Sequence, residues 1–292
     1  MNNTDCSKTL FNILIDTHII EKGLSHESIR YNFGSAPLKR LAENLDNLIL
    51  NNMTDTPEFK YAISTLSEYY KLHNESNAGV DTFVKIMGDD ITLFIINNQV
   101  NYGGTFILDK KLKEDNKNIN FGELAENRFT IRNFDGSKVP EYKITEVINL
   151  AIKSPSACNR QSSRVLIVKN EARIKQILEI QEGFRGYVLP SVLLVTVVDM
   201  RAYSNYSDRH MAYVDGGLFT MSIIYGIEFE GLGACLLNTA FSKKKDSTIR
   251  SILKMDKAER FVSIIAVGNL KDENKVAKSY RVSPTLITRI IE

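Results

Sequence analysis

The fold class rests on residues 209–239, which read RHMAYVDGGLFTMSIIYGIEFEGLGACLLNT. Residues 209–229 form an apolar stretch that predicts a long helix. The glycines of Gly231-Leu232-Gly233 predict the end of that helix, because glycine adopts the backbone conformations that a helix end requires. Residues 234–237 then predict a short strand that ends at Asn238 and Thr239.

Helices and strands continue on both sides of this segment. The predicted helices are 121–127, 140–152, 171–180 and 245–253, and the predicted strands are 164–168, 191–198 and 260–267. The strands are few and do not alternate with helices in a βαβ rhythm, which favours an α+β fold over a doubly wound sheet. The sequence contains neither GxGxxG nor GxxxxGK[ST], so it supports neither a Rossmann nor a P-loop site.

The first 120 residues predict a different organisation. Apolar residues at helical spacing indicate helices at 7–20, 36–50 and 56–72, and the polar residues 110–120 indicate a linker. We therefore expect a mostly helical N-terminal module at 1–120 and a second domain at 121–292. The segment 18–25 is either a lid over a site in the second domain or an ordinary helix end.

Composition excludes several classes of protein. Of 292 residues, 43% are hydrophobic and 25% are charged, as in ordinary globular proteins. No apolar run approaches the ~18 residues of a membrane span, and no signal peptide is recognisable, so we expect a soluble cytoplasmic protein that does not bind membranes. The three cysteines and four histidines are dispersed, which argues against a disulfide framework and a metal site. The basic residues are scattered, so we expect no nucleic-acid partner.

A basic motif, Arg128-Phe129-Thr130-Ile131-Arg132, follows the short helix predicted at 121–127. Two guanidinium groups four residues apart, with a hydroxyl between them, suit one phosphate group, because arginine pairs its N–H groups with phosphate oxygens. A pair of solvated surface arginines is the alternative for the motif alone.

Two further loops carry polar groups. In Pro155-Ser156-Ala157-Cys158-Asn159-Arg160-Gln161, the two amide side chains offer donors and acceptors to a planar heterocycle, although a helix-terminating turn has the same composition. No histidine or aspartate partner for Cys158 is recognisable, so we expect a bystander thiol rather than a nucleophile. The strand end at 236–239 offers backbone donors to a ring nitrogen or carbonyl, or is a plain connection.

The order and spacing of these motifs resemble the nitroreductase family of flavin enzymes over residues 121–292. That family carries an Arg-x-Ser/Thr-x-Arg motif, then Pro-Ser-x-x-Asn-x-Gln, a long helix running into Gly-Leu, and a basic pair after a strand that ends in glycine. The matching positions are Arg128, Thr130 and Arg132, then Pro155, Ser156, Asn159 and Gln161, then 213–233, and finally Lys278 and Arg281 after Gly268. Ser162-Ser163 stands where many members have Pro-Trp, and Phe129 where many have a basic residue or histidine.

The resemblance implies a nitroreductase-like α+β fold, with a central, mainly antiparallel sheet flanked by helices, preceded by the helical N-terminal module. It implies bound FMN and an intertwined homodimer whose two chains both contact each flavin. The residues implied to hold FMN are Arg128, Phe129, Thr130, Arg132, Pro155, Ser156, Ala157, Asn159, Gln161, Leu236, Asn238, Thr239, Lys278 and Arg281. Arg164 or Lys278 would place positive charge near the ring.

The implied function is that of an FMN-dependent oxidoreductase. NADH or NADPH would reduce FMN by hydride transfer to N5, and a small oxidised acceptor, nitroaromatic or quinone-like, would then be reduced. No side chain is expected to act as a catalytic acid or base, because the flavin carries the chemistry. Two alternatives remain open: a flavin-dependent dehydrogenase of a biosynthetic intermediate, and a flavin-binding protein without turnover.

Overall fold

The computed structural model describes residues 3–76, 78–203, 205–208 and 210–292. Its α-helices are α1 (Asn3–Leu24), α2 (Ser35–Leu50), α3 (Pro57–Glu75), α4 (Val80–Ile96), α5 (Lys111–Glu114), α6 (Phe121–Glu126), α7 (Glu141–Ala151), α8 (Glu171–Gln181), α9 (Met211–Phe229), α10 (Lys243–Leu253) and α11 (Pro284–Ile287). Its strands are β1 (Thr105–Asp109), β2 (Ser163–Val168), β3 (Val192–Asp199), β4 (Gly233–Leu237), β5 (Glu259–Gly268) and β6 (Glu273–Ala277).

Four strands form one antiparallel sheet in the order β2-β3-β5-β4, and β1 and β6 form a separate two-stranded sheet. In the larger sheet Ser163 lies opposite Val198, Val195 opposite Ile264, and Leu237 opposite Ile264. The predicted α+β fold with a mainly antiparallel sheet flanked by helices is therefore confirmed.

Helix α9 covers this sheet. Ile223 and Ile227 on α9 pack with Leu194 of β3, Ile265 of β5 and Leu232, and all five are buried. Burying each such side chain stabilises the fold by about 1.5–3 kcal/mol. The helix ends at Phe229, and Gly231 just beyond it has a φ of 66°, consistent with the helix end predicted at Gly231-Leu232-Gly233. Arg209, predicted as the first residue of this helix, lies outside the described residues.

The chain divides into two compact units. Unit 1 comprises residues 1–107 and 275–292, and unit 2 comprises residues 108–274. The chain therefore divides at 107/108 and 274/275, whereas the predicted domain boundary is at 120/121. Lys278 and Arg281 belong to unit 1. In unit 1, helices α1–α4 share one apolar core that includes Ile13, Leu41 and Leu66.

The prediction of a polar linker at residues 110–120 is wrong. This segment contains α5, and Lys113 and Asn116 within it are each 1% exposed. The Lys113 Nζ lies 2.6 Å from Glu228 Oε1, and the Asn116 amide donates to the Glu228 carbonyl at 2.7 Å. Polar residues are buried here because a carboxylate of α9 bonds to them. None of the described helices is long and apolar enough to cross a membrane.

Candidate functional site

The segment Arg128–Arg132 lies beside strand β4. The Ile131 N–H donates to the Ala234 carbonyl at 2.9 Å, and the Ile131 side chain is fully buried. A Cβ on Gly233 would come within 2.9 Å of that side chain, so the glycine permits the close approach. Backbone pairing and packing thus fix the centre of the predicted phosphate-binding motif.

A second set of contacts gives this segment its direction. Phe134 forms an antiparallel bridge with Leu270, and the Asp135 N–H donates to the Asn269 carbonyl at 3.1 Å. These partners lie beyond the first residue of β4, which pairs with Gly268, so residues 131–135 run antiparallel to β4 and pass its amino end. Arg132 is nearly buried, at 9% exposure, whereas Arg128 is half-buried.

The carboxyl end of β4 exposes both an apolar and a polar side chain. Leu236 is 51% exposed and Asn238 is exposed. The Thr239 hydroxyl donates to the Val262 carbonyl at 3.2 Å, and the Asn238 carbonyl accepts from Gln181 Nε2 at 3.3 Å. The structure therefore brings Arg128–Arg132 and Leu236–Thr239, two of the predicted binding segments, to one edge of the sheet.

The loop Pro155–Gln161 is held in an uncommon backbone conformation. Cys158, Asn159 and Gln161 have φ values of 50°, 54° and 48°. Such left-handed conformations cost roughly 1–3 kcal/mol each for residues other than glycine, so surrounding contacts must maintain them. Within the loop, Ser156 Oγ accepts from the Gln161 N–H at 3.0 Å, and Gln161 Nε2 donates to Asn159 Oδ1 at 3.1 Å.

Asp215, which the sequence analysis did not identify, holds this loop by hydrogen bonds. Both of its carboxylate oxygens accept from the Ala157 N–H at 3.1 Å, and Oδ2 also accepts from the Tyr203 hydroxyl at 2.6 Å. The Tyr203 and Ser162 hydroxyls lie 2.5 Å apart. Burial, and then the hydrogen bond to Asp215, raises the pKa of Tyr203, which keeps the phenol protonated as a donor. A carboxylate in the apolar first half of helix α9 is the sequence signal for this residue.

A small cavity of about 190 Å³ opens beside the loop. Its lining includes Ser156, Gln161, Arg164, Asp215 and Phe219. Arg164 Nη1 donates to the carbonyls of Gln161 and Ser163 at 2.7 and 2.8 Å, which places a positive charge at the end of the loop. Cys158 is an exposed free thiol in the same loop.

The loop lies at the opposite edge of the sheet from the Arg128–Arg132 segment. It precedes β2, which is one edge strand, whereas Arg128–Arg132 borders β4, the other edge strand. Three inter-strand spacings of about 4.8 Å separate these edges by about 14 Å. Within one chain, the structure therefore does not bring Ser156, Asn159 and Gln161 together with the arginine motif.

The basic pair Lys278 and Arg281 belongs to unit 1. Lys278 Nζ donates to Asn101 Oδ1 and, at 3.0 Å, to the Gly103 carbonyl. Arg281 Nη1 donates to the Ser279 carbonyl at 2.6 Å and remains exposed. Their assignment to a flavin phosphate stays a prediction.

A buried ion pair in unit 2 was also missed by sequence reasoning. Lys113 Nζ contacts both oxygens of Glu228 at 2.6 Å and donates to the Asn127 carbonyl at 3.1 Å. Burial lowers the pKa of Lys113 and raises that of Glu228, while their mutual contact opposes both shifts. This pair fixes Asn127, the residue immediately before Arg128, to the end of α9.

Part of the chain is similar to known proteins. The family model of the nitroreductase family matches residues 125–184. No curated protein matches the chain. The structure of a protein from Bacillus subtilis, described as a candidate nitroreductase, superimposes with a TM-score of 0.50 at 18% sequence identity. The match covers 59% of this chain and 98% of that protein.

Two further solved structures are similar to the same part of the chain. A nitroreductase family protein of Clostridium difficile 630 gives a TM-score of 0.49 at 18% identity and covers 59% of this chain and 98% of its own. An FMN-dependent nitroreductase of Clostridium difficile R20291 gives 0.45 at 19% identity, with coverages of 52% and 89%. Residues 125–184 thus match the nitroreductase family, in a chain that has the nitroreductase fold and an additional helical region before it.

Proposed function

We propose that this oxidoreductase binds FMN and passes electrons from NADH or NADPH to a small oxidised acceptor of the nitroaromatic or quinone type. The observation that supports the proposal is the position of Arg128–Arg132, which is fixed beside edge strand β4 by the hydrogen bond from the Ile131 N–H to the Ala234 carbonyl. One edge of the sheet thus joins two guanidinium groups to an exposed leucine and an exposed amide.

The donor set at this edge fits FMN. Arg128 and Arg132 suit the phosphate, because each guanidinium offers parallel N–H donors, and the Thr130 hydroxyl adds one more. Leu236, which is half exposed, offers apolar surface to a flat ring. The amides of Asn159 and Gln161, at the opposite edge of the sheet, would offer donors and acceptors to the ring edge from a second copy of the chain.

When bound, FMN supplies hydride acceptance and donation, and the protein supplies binding, orientation and electrostatics. Arg128, Thr130 and Arg132 hold the phosphate end. Leu236 excludes water from the ring, and backbone N–H groups at the end of β4 orient it. The positive charge of Arg164, fixed by the Gln161 and Ser163 carbonyls, favours electron density on the ring. Lys278 and Arg281 bind the phosphate in this proposal.

We also propose that a second copy of the chain completes the site. The cavity of about 190 Å³ beside the loop is smaller than the ~300 Å³ at which cofactor sites begin, which supports a site that one chain would enclose only in part. The two sets of predicted binding residues lie at opposite edges of the sheet, and a partner loop would bring the missing set. Helix α9 exposes an apolar face, Tyr213, Val214, Leu218 and Met221, that suits a homodimer interface.

The first experiment is the absorption spectrum of the purified protein, followed by NADPH and then NADH under anaerobic conditions. Flavin bands near ~370 and ~450 nm that bleach on addition are the expected result. Return of the colour on adding a nitroaromatic or a quinone identifies the acceptor class. Colourless protein that does not take up added FMN would overturn the proposal.

A substitution tests whether the Arg128–Arg132 segment binds FMN. Arg128→Ala should weaken FMN binding about tenfold or more, since a hydrogen bond to a charged group contributes about 1.5–3 kcal/mol. Arg173→Ala is the matched control, because Arg173 is an exposed arginine on α8 of the same unit. Fluorescence titration with FMN measures both, and equal affinities would contradict the assignment.

We further propose a cytoplasmic location. Cys158 is an exposed free thiol, and the side chain of Cys6 lies outside the described residues. Free thiols are typical of proteins in a reducing compartment.

A further inference from the structure

The carboxylate of Glu21 lies at the centre of unit 1. Glu21 is on α1 and is fully buried. Burying a carboxylate is costly unless hydrogen bonds replace its water. Here Oε2 accepts from the Tyr61 hydroxyl at 2.8 Å, Oε1 accepts from the Gly104 N–H at 3.1 Å, and the Ser279 N–H reaches both oxygens at 3.1–3.2 Å.

These donors come from three separate segments of unit 1. Tyr61 is on α3, Gly104 immediately precedes β1, and Ser279 follows β6. A carboxylate has two acceptor oxygens and no donor, so it can serve all three donors at once. A glutamine of the same size would turn an NH2 group toward at least one of them.

The segment that Ser279 belongs to depends on this carboxylate. Ser279 has a φ of 53°, a left-handed conformation that is costly for serine. The preceding Lys278 is fixed through its N–H to the Gly104 carbonyl at 3.0 Å, and its Nζ donates to the Gly103 carbonyl. The guanidinium of Arg281 donates to the Ser279 carbonyl, so its direction follows the Ser279 backbone.

Aromatic packing holds Tyr280, the residue between Ser279 and Arg281. The Tyr280 ring lies 5.7 Å from the Tyr61 ring and 5.7 Å from the Tyr102 ring, measured between centroids. Tyr61 therefore contacts both Glu21, through its hydroxyl, and Tyr280, through its ring. The helices α1 and α3 and the segment 278–281 form one connected arrangement.

We propose that Glu21 is a positioning residue for Lys278 and Arg281, and that the N-terminal helices are the support on which this basic pair is mounted. The inference rests on the proposed function, in which Lys278 and Arg281 bind the FMN phosphate. It assigns a role to α1 and α3, which lie outside the region matched by the nitroreductase family. The segment containing Glu21 is thereby part of the binding apparatus rather than an ordinary helix end.

The test compares two neutralised carboxylates of the same helix in the full-length protein. Glu21→Gln should raise the Kd for FMN by about tenfold and speed hydrogen exchange at the Ser279 amide by a similar factor, because an NH2 group replaces one of the two oxygens that accept from it. Exchange at the Gly104 amide should rise less, since that amide also donates to Thr65 Oγ1. Asp16→Asn is the matched control, since Asp16 is also buried on α1 but pairs with Arg40 of α2. That variant should lower the Tm yet leave FMN affinity and the two amides within about twofold.

A double variant separates positioning from general stability. In a Lys278→Ala/Arg281→Ala background, Glu21→Gln should cause no further loss of FMN affinity, because its effect passes through those two side chains. Where Glu21→Gln does not fold, Glu21→Asp keeps the charge but shortens the reach, and the same direction of change is expected.

Two results would overturn the proposal: unchanged exchange at Ser279 in Glu21→Gln, or equal effects of Glu21→Gln and Asp16→Asn on FMN affinity. The exchange measurement needs no flavin, so its outcome is independent of FMN binding. If the protein binds no FMN but Glu21→Gln speeds exchange at Ser279, the result would support the positioning of segment 278–281 by Glu21 and refute the proposed function.

Discussion

At the scale of single residues, Asp215 illustrates how one carboxylate controls a strained loop. It accepts from the Ala157 N–H and the Tyr203 hydroxyl, next to three residues with left-handed φ values. We expect Asp215→Asn to weaken FMN binding about tenfold, because an amide NH2 would face a donor and leave it unpaired. The control is Thr220→Val, a buried polar position of α9 that bonds Thr196 instead of the loop. Fluorescence titration alongside Tm measurements checks this, and parallel losses in both variants would count against it.

At the scale of elements, two glycines let the segment 128–134 lie against the sheet. A Cβ on Gly268 would lie 2.5 Å from the Phe134 ring. Gly268→Ala should therefore destabilise the fold by about 1–3 kcal/mol and weaken FMN binding by displacing the arginines. Adding Phe134→Leu makes room for the methyl group and should restore part of both. Urea unfolding and FMN titration of the single and double variants measure this, and absence of any recovery would mean that the two positions act independently.

The elements also mark the limits of prediction from sequence. Strands β2 to β5 were predicted to within about two residues, because each is an apolar run bounded by turn-forming residues. Strand β6 was missed, because ENKVA lacks alternation and its buried Asn274 reads as a loop residue. The segment 110–120 was taken for a linker because Lys113 and Asn116 are buried only through Glu228, more than a hundred residues away. The arginine motif could be named from its spacing, whereas the support from Asp215 is a tertiary contact that spacing does not reveal.

At the scale of the whole molecule, the exposed apolar face of α9 links assembly to cofactor binding. We expect Leu218→Glu to convert a dimer into monomers, because it places charge in the centre of that face. FMN affinity should fall with it, since each site needs the partner's loop. Leu50→Glu, at an exposed leucine that ends α2, should change neither. Light scattering and FMN titration on the same samples provide the check, and monomers with full affinity would show that one chain suffices.

The composition of unit 1 from residues 1–107 and 275–292 has a consequence for synthesis on the ribosome. Glu21 and Gly104 are made early, but Ser279 follows only after about 175 further residues, which take about 9–35 s at 5–20 residues per second. Throughout that interval the nascent helices carry a carboxylate without its final backbone donor, and β1 lacks β6. Unit 2, being continuous in sequence, completes its chain first. Unit 1, whose residues 1–107 precede unit 2 in the sequence, is thus completed after unit 2.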